Sequence, residues 1–330
     1  MADLRLSMAV GDYDRMRPLF DGAVRIDGVD PVFMRLEPEE IFFRAFRHAE
    51  FDVCELSLSS FTVTAARGDN AYVGIPVFPS RAFRHSSIYV RTDRGIALPA
   101  DLRGRRIGTP EYQLTACVWA RALLEEEYGV RSADIIWVRG GMEQPGRVEK
   151  IPVSLPPDIR LEDVPAHLTL SAMLQEGEID GIVAPRAPAA FERGEPLVGW
   201  LFADPMAEAT EYFRRSQIFP IMHMVGLRRT IAAQHPWLPG ALLKAFEQSK
   251  QWAVARLADS AASKVTMPFV EEHLRQARAL MGDDYWPYGV EPNRKVLAAF
   301  LRHHYRQGLS PRELAVEELF HPATLDTFRV

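Results

Sequence analysis

Hydrophobic and polar positions follow two different periods along the chain, and each change of period marks a strand giving way to a helix. Leu4–Val10 alternates and predicts a first strand, closed by the polar run Gly11-Asp12-Tyr13-Asp14. Val32–Leu36 predicts a second. Pro38 then opens a helix through His48: Glu39 and Glu40 suit its positive amino end, and Ile41, Phe42, Ala45 and Phe46 fall on one face. Phe51–Leu56 predicts a third strand, ending in Ser57-Leu58-Ser59-Ser60 ahead of a helix over Phe61–Arg67. Val73–Phe78 and Ser86–Arg91 predict two further strands on either side of a basic loop, Pro79 to His85.

Arg106–Gly108 predicts a strand that runs through Thr109-Pro110 into a helix. In that helix Cys117, Ala120, Leu124 and Tyr128 share a face, and Gly129 supplies the stop. A strand at Ile135–Val138, a short helix at Thr169–Gln175, a strand at Ile182–Ala184 and a long apolar strand at Ile218–Gly226 follow. Beyond them the pattern is helical over Leu238–Leu257, Met267–Met281, Arg294–Gln307 and Pro311–Phe320. Strands alternating with helices predict an α/β protein with mostly parallel sheets. No disorder is expected outside Gly140–Asp158, which is rich in Gly and Pro.

At 330 residues the chain has room for two domains. Its 47% hydrophobic and 25% charged content is that of a soluble globular protein. A net charge of −5 gives no electrostatic case for nucleic acid. No stretch is long enough to span a membrane. Cys54 and Cys117 lie in apolar surroundings without metal or redox spacing, and read as reduced core residues. The start of the chain carries Asp3, Asp12 and Asp14 and no apolar core, so no secretory signal is expected and a cytoplasmic protein is.

Ligands of α/β sheets gather beyond the carboxyl ends of the strands. Polar clusters recur at six such places: Asp12-Tyr13, Ser57 to Ser60, Arg84 to Ser87, Glu111 to Thr115, Gly140 to Arg147, and Pro185-Arg186. Glu111, Tyr112, Gln113 and Thr115 crowd the start of a helix, where free N–H groups and the dipole favour an anion, or merely cap it. Arg84 or Arg81, Arg147 and Arg186 are candidates for gripping a carboxylate with a planar fork. Ser59 and Ser86 are candidate donors beside them. Asp12 and Glu55 are candidate bases, or local caps and ion-pair partners. His85 and His223 titrate near neutral pH and are candidate acids. His303-His304 read as surface residues, and Trp119, Trp137 and Trp252 as core.

Six segments carry a family resemblance: Phe51–Phe61 (FDVCELSLSSF), Arg84–Val90 (RHSSIYV), Leu102–Ala116 (LRGRRIGTPEYQLTA), Trp137–Lys150 (WVRGGMEQPGRVEK), Gly177–Arg186 (GEIDGIVAPR) and Ile218–His223 (IFPIMH). Together they resemble the 4,5-dihydroxyphthalate decarboxylase family, of the type 2 periplasmic-binding-protein-like fold. The resemblance implies two α/β lobes around a hinged cleft, with additional C-terminal helices. Lobe one would be 1–90 plus 218–330, and lobe two 91–217. It implies a carboxy-lyase acting on a small aromatic carboxylate by ring protonation, without an organic cofactor. His85, His223 and Glu111 would be catalytic. Arg84, Ser86, Ser59, Tyr112, Gln113, Thr115, Arg147, Arg186 and Asp12 would bind substrate. A divalent metal held by His85, His223 and Glu111 is an alternative, and self-association as a homo-oligomer stays open. The rival readings are a solute-binding protein for a small anion and another enzyme of the same fold.

Overall fold

The computed structural model describes residues 3–259 and 261–326. The chain divides into two compact units: Met1–Arg81 with Ile221–Ala298 and Leu314–Val330, and Ala82–Pro220 with Ala299–Glu313. Residues 82–90, 218–220 and 299–313, expected in lobe one, group with the second unit.

In chain order the elements begin β1 (Leu4–Val10), α1 (Arg17–Phe20), β2 (Val29–Arg35), α2 (Pro38–His48), β3 (Val53–Ser57), α3 (Leu58–Arg67) and β4 (Tyr72–Arg81). Next come β5 (Ile88–Arg91), β6 (Arg106–Thr109), α4 (Thr115–Tyr128), β7 (Ile136–Arg139), β8 (Arg160–Asp163), α5 (Leu170–Glu176), β9 (Gly181–Val183), α6 (Ala189–Glu192), β10 (Val198–Trp200) and α7 (Pro205–Ser216). The chain closes with β11 (Ile221–Arg228), α8 (Arg229–Gln234), α9 (Leu238–Leu257), α10 (Val270–Met281) and α11 (Arg294–Arg306).

The first unit holds a sheet in the order β2-β1-β3-β11-β4. β1 is parallel to β2 and β3, while β11 runs antiparallel between β3 and β4. The carboxyl ends of β1, β3 and β4 therefore share an edge with the start of β11. β3 is buried along its whole length, which is why it reads as an unbroken apolar run interrupted only by Glu55 and Ser57. α2 lays Ile41, Phe42 and Ala45 into the interior. Pro76 and Pro79 in β4 have no N–H to give the ladder, and the β4–β11 register shifts on both sides of His223. The chain's last segment docks on the same strand, where Phe320 bridges Gly74 and the His321 N–H donates to the Gly74 carbonyl at 2.9 Å.

The second unit holds a sheet in the order β10-β5-β9-β6-β7-β8. β6, β7, β8 and β9 are parallel, and β5 is antiparallel to β9 and β10. Both sheets are thus mixed rather than mostly parallel. α4 is buried from Thr115 through Leu124, Arg121 included. The Arg121 guanidinium lies 3.8 Å from the Tyr112 ring centroid, and donates to the Tyr112 carbonyl at 2.5 Å and to Gln307 Oε1 at 2.8 Å. That buried fork ties the 299–313 segment to this unit.

The pattern did not reveal β8, β10 or α7. β8 (RLED) and β10 (VGW) are too short or too polar to show a period, and α7 buries only Ala209, Tyr212 and Phe213. Pro311–Phe320 is not an α-helix: it holds only a 3₁₀ turn at Val316–Leu319, because its end is drawn onto Gly74. Gly140–Asp158 is an irregular segment within the described residues. His303 and His304 are buried, not on the surface, with His303 Nε2 2.6 Å from Glu126 Oε1 and His304 Nδ1 3.1 Å from Ser310 Oγ. Trp119 and Trp137 are core residues, whereas Trp252 is 39% exposed because it takes an outer position on α9. Cys54 and Cys117 are buried and free. Among the described residues no helix is long and apolar enough to cross a membrane.

The docking of the final segment predicts a sensitive site. A Cβ on Gly74 would run into the Leu319 carbonyl oxygen and Met224 Cε. Gly74→Ala is expected to cost about 1–3 kcal/mol, the usual range for overpacking. Urea denaturation should show a lower midpoint at unchanged slope.

Candidate active site

An acidic residue inside an apolar strand has to find partners, because an isolated buried carboxylate is strongly disfavoured. Glu55 is 0% exposed and finds three. Its Oε2 accepts the Gly11 N–H at 2.9 Å. Its Oε1 accepts the Tyr13 hydroxyl at 2.8 Å and lies 2.6 Å from His223 Nδ1. Burial alone would push the Glu55 carboxyl up. The His223 hydrogen bond and charge, the Gly11 N–H and the Tyr13 hydroxyl outweigh it and hold the group below its ordinary value. Glu55 is therefore an acceptor, so the His223 proton sits on Nδ1 and Nε2 becomes the working nitrogen. The Tyr13 hydroxyl is raised far above its ordinary value, by burial first and Glu55 second, and serves only as a donor.

Topology explains the meeting. Gly11 and Tyr13 follow β1, Glu55 lies within β3, and Ser57, which ends β3, pairs with His223 at the start of β11. Residues two apart on a strand share a face, so Glu55, Ser57, His223 and Val225 all point to one side. Phe42 packs edge-on against the His223 ring at 4.8 Å. The His223 side chain keeps 19% exposure. Ser57 also caps α3, its Oγ accepting the Ser60 N–H at 3.5 Å, and Ser59 is buried in the first turn of that helix. Asp12 is exposed and pairs with Arg17 at 3.2 Å, outside this cluster. Glu55, the centre of the cluster, was open between base and local partner in the sequence. Its signal was a charge at the middle of an apolar strand.

The second unit has its own polar edge. β9 ends, β6 ends and β5 begins on one side of the sheet, which places Arg84, Ser86, Arg186 and the Glu111 loop along it. His85 is 2% exposed, in a box made by Phe83, Phe202 and Tyr212 at 6.4, 5.4 and 5.5 Å between centroids. Burial, and after it the Arg215 charge, push this imidazole down to about 4. At neutral pH it carries no transferable acidic proton, so the expectation that His85 is the acid does not fit its surroundings. Arg84 donates to Ser87 Oγ at 3.4 Å, and burial lowers its guanidinium only to about 10, leaving it charged. Ser86 is exposed. Arg186 is exposed beyond β9 and makes no ion pair among the described residues. Arg81 belongs to the first unit, where it holds the Pro287 carbonyl and Asn293.

Glu111, expected as a catalytic base, is a clamp. It is 1% exposed, takes Arg147 Nη2 and Lys150 Nζ on Oε1 at 2.7 Å each, and takes the Lys150 N–H on Oε2 at 3.1 Å. Arg147, expected to hold substrate, is thereby committed to Glu111. Tyr112 lies under Arg121 in the interior, with its N–H on Glu149 Oε1 at 2.8 Å. Gln113 donates to the Ile151 carbonyl at 3.1 Å, and Thr115 is buried as the first residue of α4. The polar crowd before α4 thus holds the 140–158 segment in place. A cavity of about 510 Å³ beyond β7 and β8 is lined by Arg139, Arg147, Glu149 and Asp163 among apolar residues. Arg139 is shared by Asp163 at 2.7 Å and Glu149 at 3.3 Å, so opposed charges nearly cancel on its wall. Among the described residues no three His, Cys, Asp or Glu gather as a metal set.

The burial of neutral His85 has a pH consequence. Its folded value, about 4, lies below the ordinary 6.5, so the unfolded chain binds more protons between those values. Stability should be full above pH 6.5 and fall progressively on acidification toward pH 4. Urea denaturation across that range should show a weaker fall for His85→Phe, and an unchanged fall would contradict the assignment.

No family model matches the chain. The 4,5-dihydroxyphthalate decarboxylase of Comamonas testosteroni is 60% identical to it over 330 residues, covering 100% of both chains. The 4,5-dihydroxyphthalate decarboxylase of Pseudomonas putida is 58% identical over 214 residues, 65% of this chain and 83% of that one. Among solved structures, the periplasmic aliphatic sulphonate binding protein SsuA from Escherichia coli aligns with a TM-score of 0.55 at 14% identity, covering 98% of this chain and 99% of its own. The desulfurization enzyme DSZB aligns with a TM-score of 0.53 at 14% identity, covering 98% and 97%. At such identities these two show the fold alone, the α/β fold of the periplasmic-binding proteins. By its identity to a relative along the whole length, the chain belongs to the 4,5-dihydroxyphthalate decarboxylase family.

Proposed function

We propose that this protein is a carboxy-lyase that converts 4,5-dihydroxyphthalate to protocatechuate and carbon dioxide. The observation that carries the reading is the 60% identity, over all 330 residues, to the Comamonas testosteroni enzyme of that name. Direct loss of carbon dioxide would leave an aryl carbanion. The accessible route instead protonates the ring carbon that bears the leaving carboxylate, while the hydroxyl para to it loses its proton and pushes an electron pair into the ring. A dienone-like intermediate forms. The carbon–carbon bond to the carboxylate then breaks, its electron pair restores the aromatic ring, and the oxygen recovers a proton.

His223 is the acid in this reading, and Glu55 its anchor. The support is geometric: Nδ1 is held 2.6 Å from a carboxylate that burial alone would not keep charged, and Nε2 is left to carry the transferable proton. Arg186 and Arg84, on the polar edge of the second unit, are the candidate carboxylate holders, with Ser86 beside them. The phenol supplies the electrons, so the reaction as written draws on no organic cofactor. The partner is the small aromatic substrate. The two free buried cysteines support a reducing, cytoplasmic setting.

The experiment is direct. Purified protein is mixed with 4,5-dihydroxyphthalate, the ultraviolet spectrum is followed, and carbon dioxide is assayed; tight binding without carbon dioxide release would turn the reading toward a solute-binding protein. His223→Gln is expected to lose roughly 10²–10⁴-fold in kcat while substrate still binds, the usual worth of a general acid. His85→Phe should lose far less, and the reverse order would exchange the two roles. Arg186→Ala is expected to raise KM with little change in kcat, the pattern of a group that grips ground state and transition state alike. Steady-state kinetics on the three variants separates these outcomes.

A further inference from the structure

We infer that Tyr13 and Gly11 are positioning residues for His223, acting through Glu55. The inference rests on the reading of His223 as the acid. Glu55 has two oxygens for three donors. Gly11 N–H fixes Oε2, which sets the plane of the carboxylate, and Oε1 then has to serve both Tyr13 and His223. The Tyr13 hydroxyl is the donor of this pair, because Glu55 is a carboxylate with no proton to give, and burial with the Glu55 charge keeps the phenol protonated. Its donated hydrogen bond and the Gly11 N–H together fix both oxygens of the carboxylate. Oε1 is thereby held 2.6 Å from His223 Nδ1, which sets the orientation of the imidazole.

The backbone at Gly11 is shaped for this contact. A Cβ there would lie 2.7 Å from Tyr13 Cε2, 2.8 Å from Cζ and 3.0 Å from the hydroxyl oxygen. The absent side chain is the space in which the Tyr13 ring lies while its hydroxyl reaches Glu55. The ring is held in that place by Arg15, whose guanidinium is 4.3 Å from its centroid and 4.6 Å from that of Trp286, and which donates to the Pro79 carbonyl at 2.7 Å. Gly11 and Tyr13, from the loop after β1, thus fix one oxygen each of Glu55 in β3, and Arg15 braces the Tyr13 ring.

The test uses the full chain and four variants: Tyr13→Phe, Gly11→Ala, Glu55→Gln, and Tyr13→Phe with Glu55→Gln. Tyr13→Phe keeps the ring and removes only the hydroxyl. Its kcat on 4,5-dihydroxyphthalate should fall roughly tenfold, the worth of one hydrogen bond to a charged group, with KM within about twofold. In the Glu55→Gln background the same change should cost less than about twofold, because its route to His223 is already cut. Gly11→Ala should reproduce the Tyr13→Phe loss. Nuclear magnetic resonance gives a readout besides activity: the His223 Nδ1 proton signal, assigned by its absence in His223→Gln, should move in Tyr13→Phe. Losses that multiply in the double variant, a change in KM alone, or an unmoved Nδ1 signal would overturn the inference. A wild-type protein that releases no carbon dioxide would overturn the functional reading instead, and the Nδ1 signal would still decide the positioning role.

Discussion

One carboxylate with no surface in water governs the arrangement of the first unit. Glu55 stays charged inside β3 only because a backbone N–H, a phenol and an imidazole all point at it. Removing any one donor would leave the remaining two to carry a buried charge, and such losses cost more than the bond itself is worth. Each donor in turn depends on an element of the fold. Gly11 must be small and must follow β1 directly. β11 must run antiparallel beside β3, so that His223 pairs with Ser57 one step along from Glu55. The register irregularity forced by prolines in β4 falls at His223 itself, which is where a strand can re-aim a side chain.

The second unit handles charge in the opposite way. Its buried acids are answered by cations at the end of β7 and in the segment after it: Glu111 by Arg147 and Lys150, and Glu149 by Arg139. These pairs fasten an irregular segment that has few apolar anchors of its own. A guanidinium already shared with a buried carboxylate has little left for a ligand, because gripping a second anion would mean loosening the first. Arg186, exposed at a strand end, has no such commitment. The same logic separates the two histidines. His223 faces a carboxylate, while His85 faces only rings and, more distantly, the Arg215 charge that disfavours its protonation.

Much of the fold was legible because it follows from periodicity. β1, α2, α9 and the β6–turn–α4 unit were expected within a few residues of where they stand, since each presents one apolar face over enough length to show a period. β8, β10 and α7 were not legible: two are four residues or fewer, and α7 puts only Ala209, Tyr212 and Phe213 in the interior. His303 and His304 read as surface beside Arg302 and Arg306, yet both are buried, because acids on α4 and a serine after α11 meet them. Those partners lie far away in the chain or around a turn, and spacing carries no trace of them. The site was legible by half for the same reason. The strand-end rule pointed to segments that lie at the carboxyl edges of the sheets. It could not say that Glu111 and Arg147, 36 residues apart, neutralise each other, or that His223 rather than His85 meets an acid.

A fold shared by a sulphonate-binding protein and a desulfurization enzyme cannot by itself decide between holding an anion and transforming it. The difference has to lie in interactions that strengthen only as the reaction proceeds. A guanidinium on the leaving carboxylate would not be one of them: it stabilises the charged ground state, and its hold weakens as neutral carbon dioxide forms. In the reaction proposed above, a proton carried at His223 Nε2 would be one, because its bond to the ring carbon is made only on the way to the intermediate. In the same proposal the Glu55 carboxylate keeps the imidazole aimed through Nδ1. An anion-binding chain has no use for a buried acid that holds a histidine in one tautomer. A chain that must deliver a proton to carbon does, and that is the role proposed for the Glu55–His223 pair of the first unit.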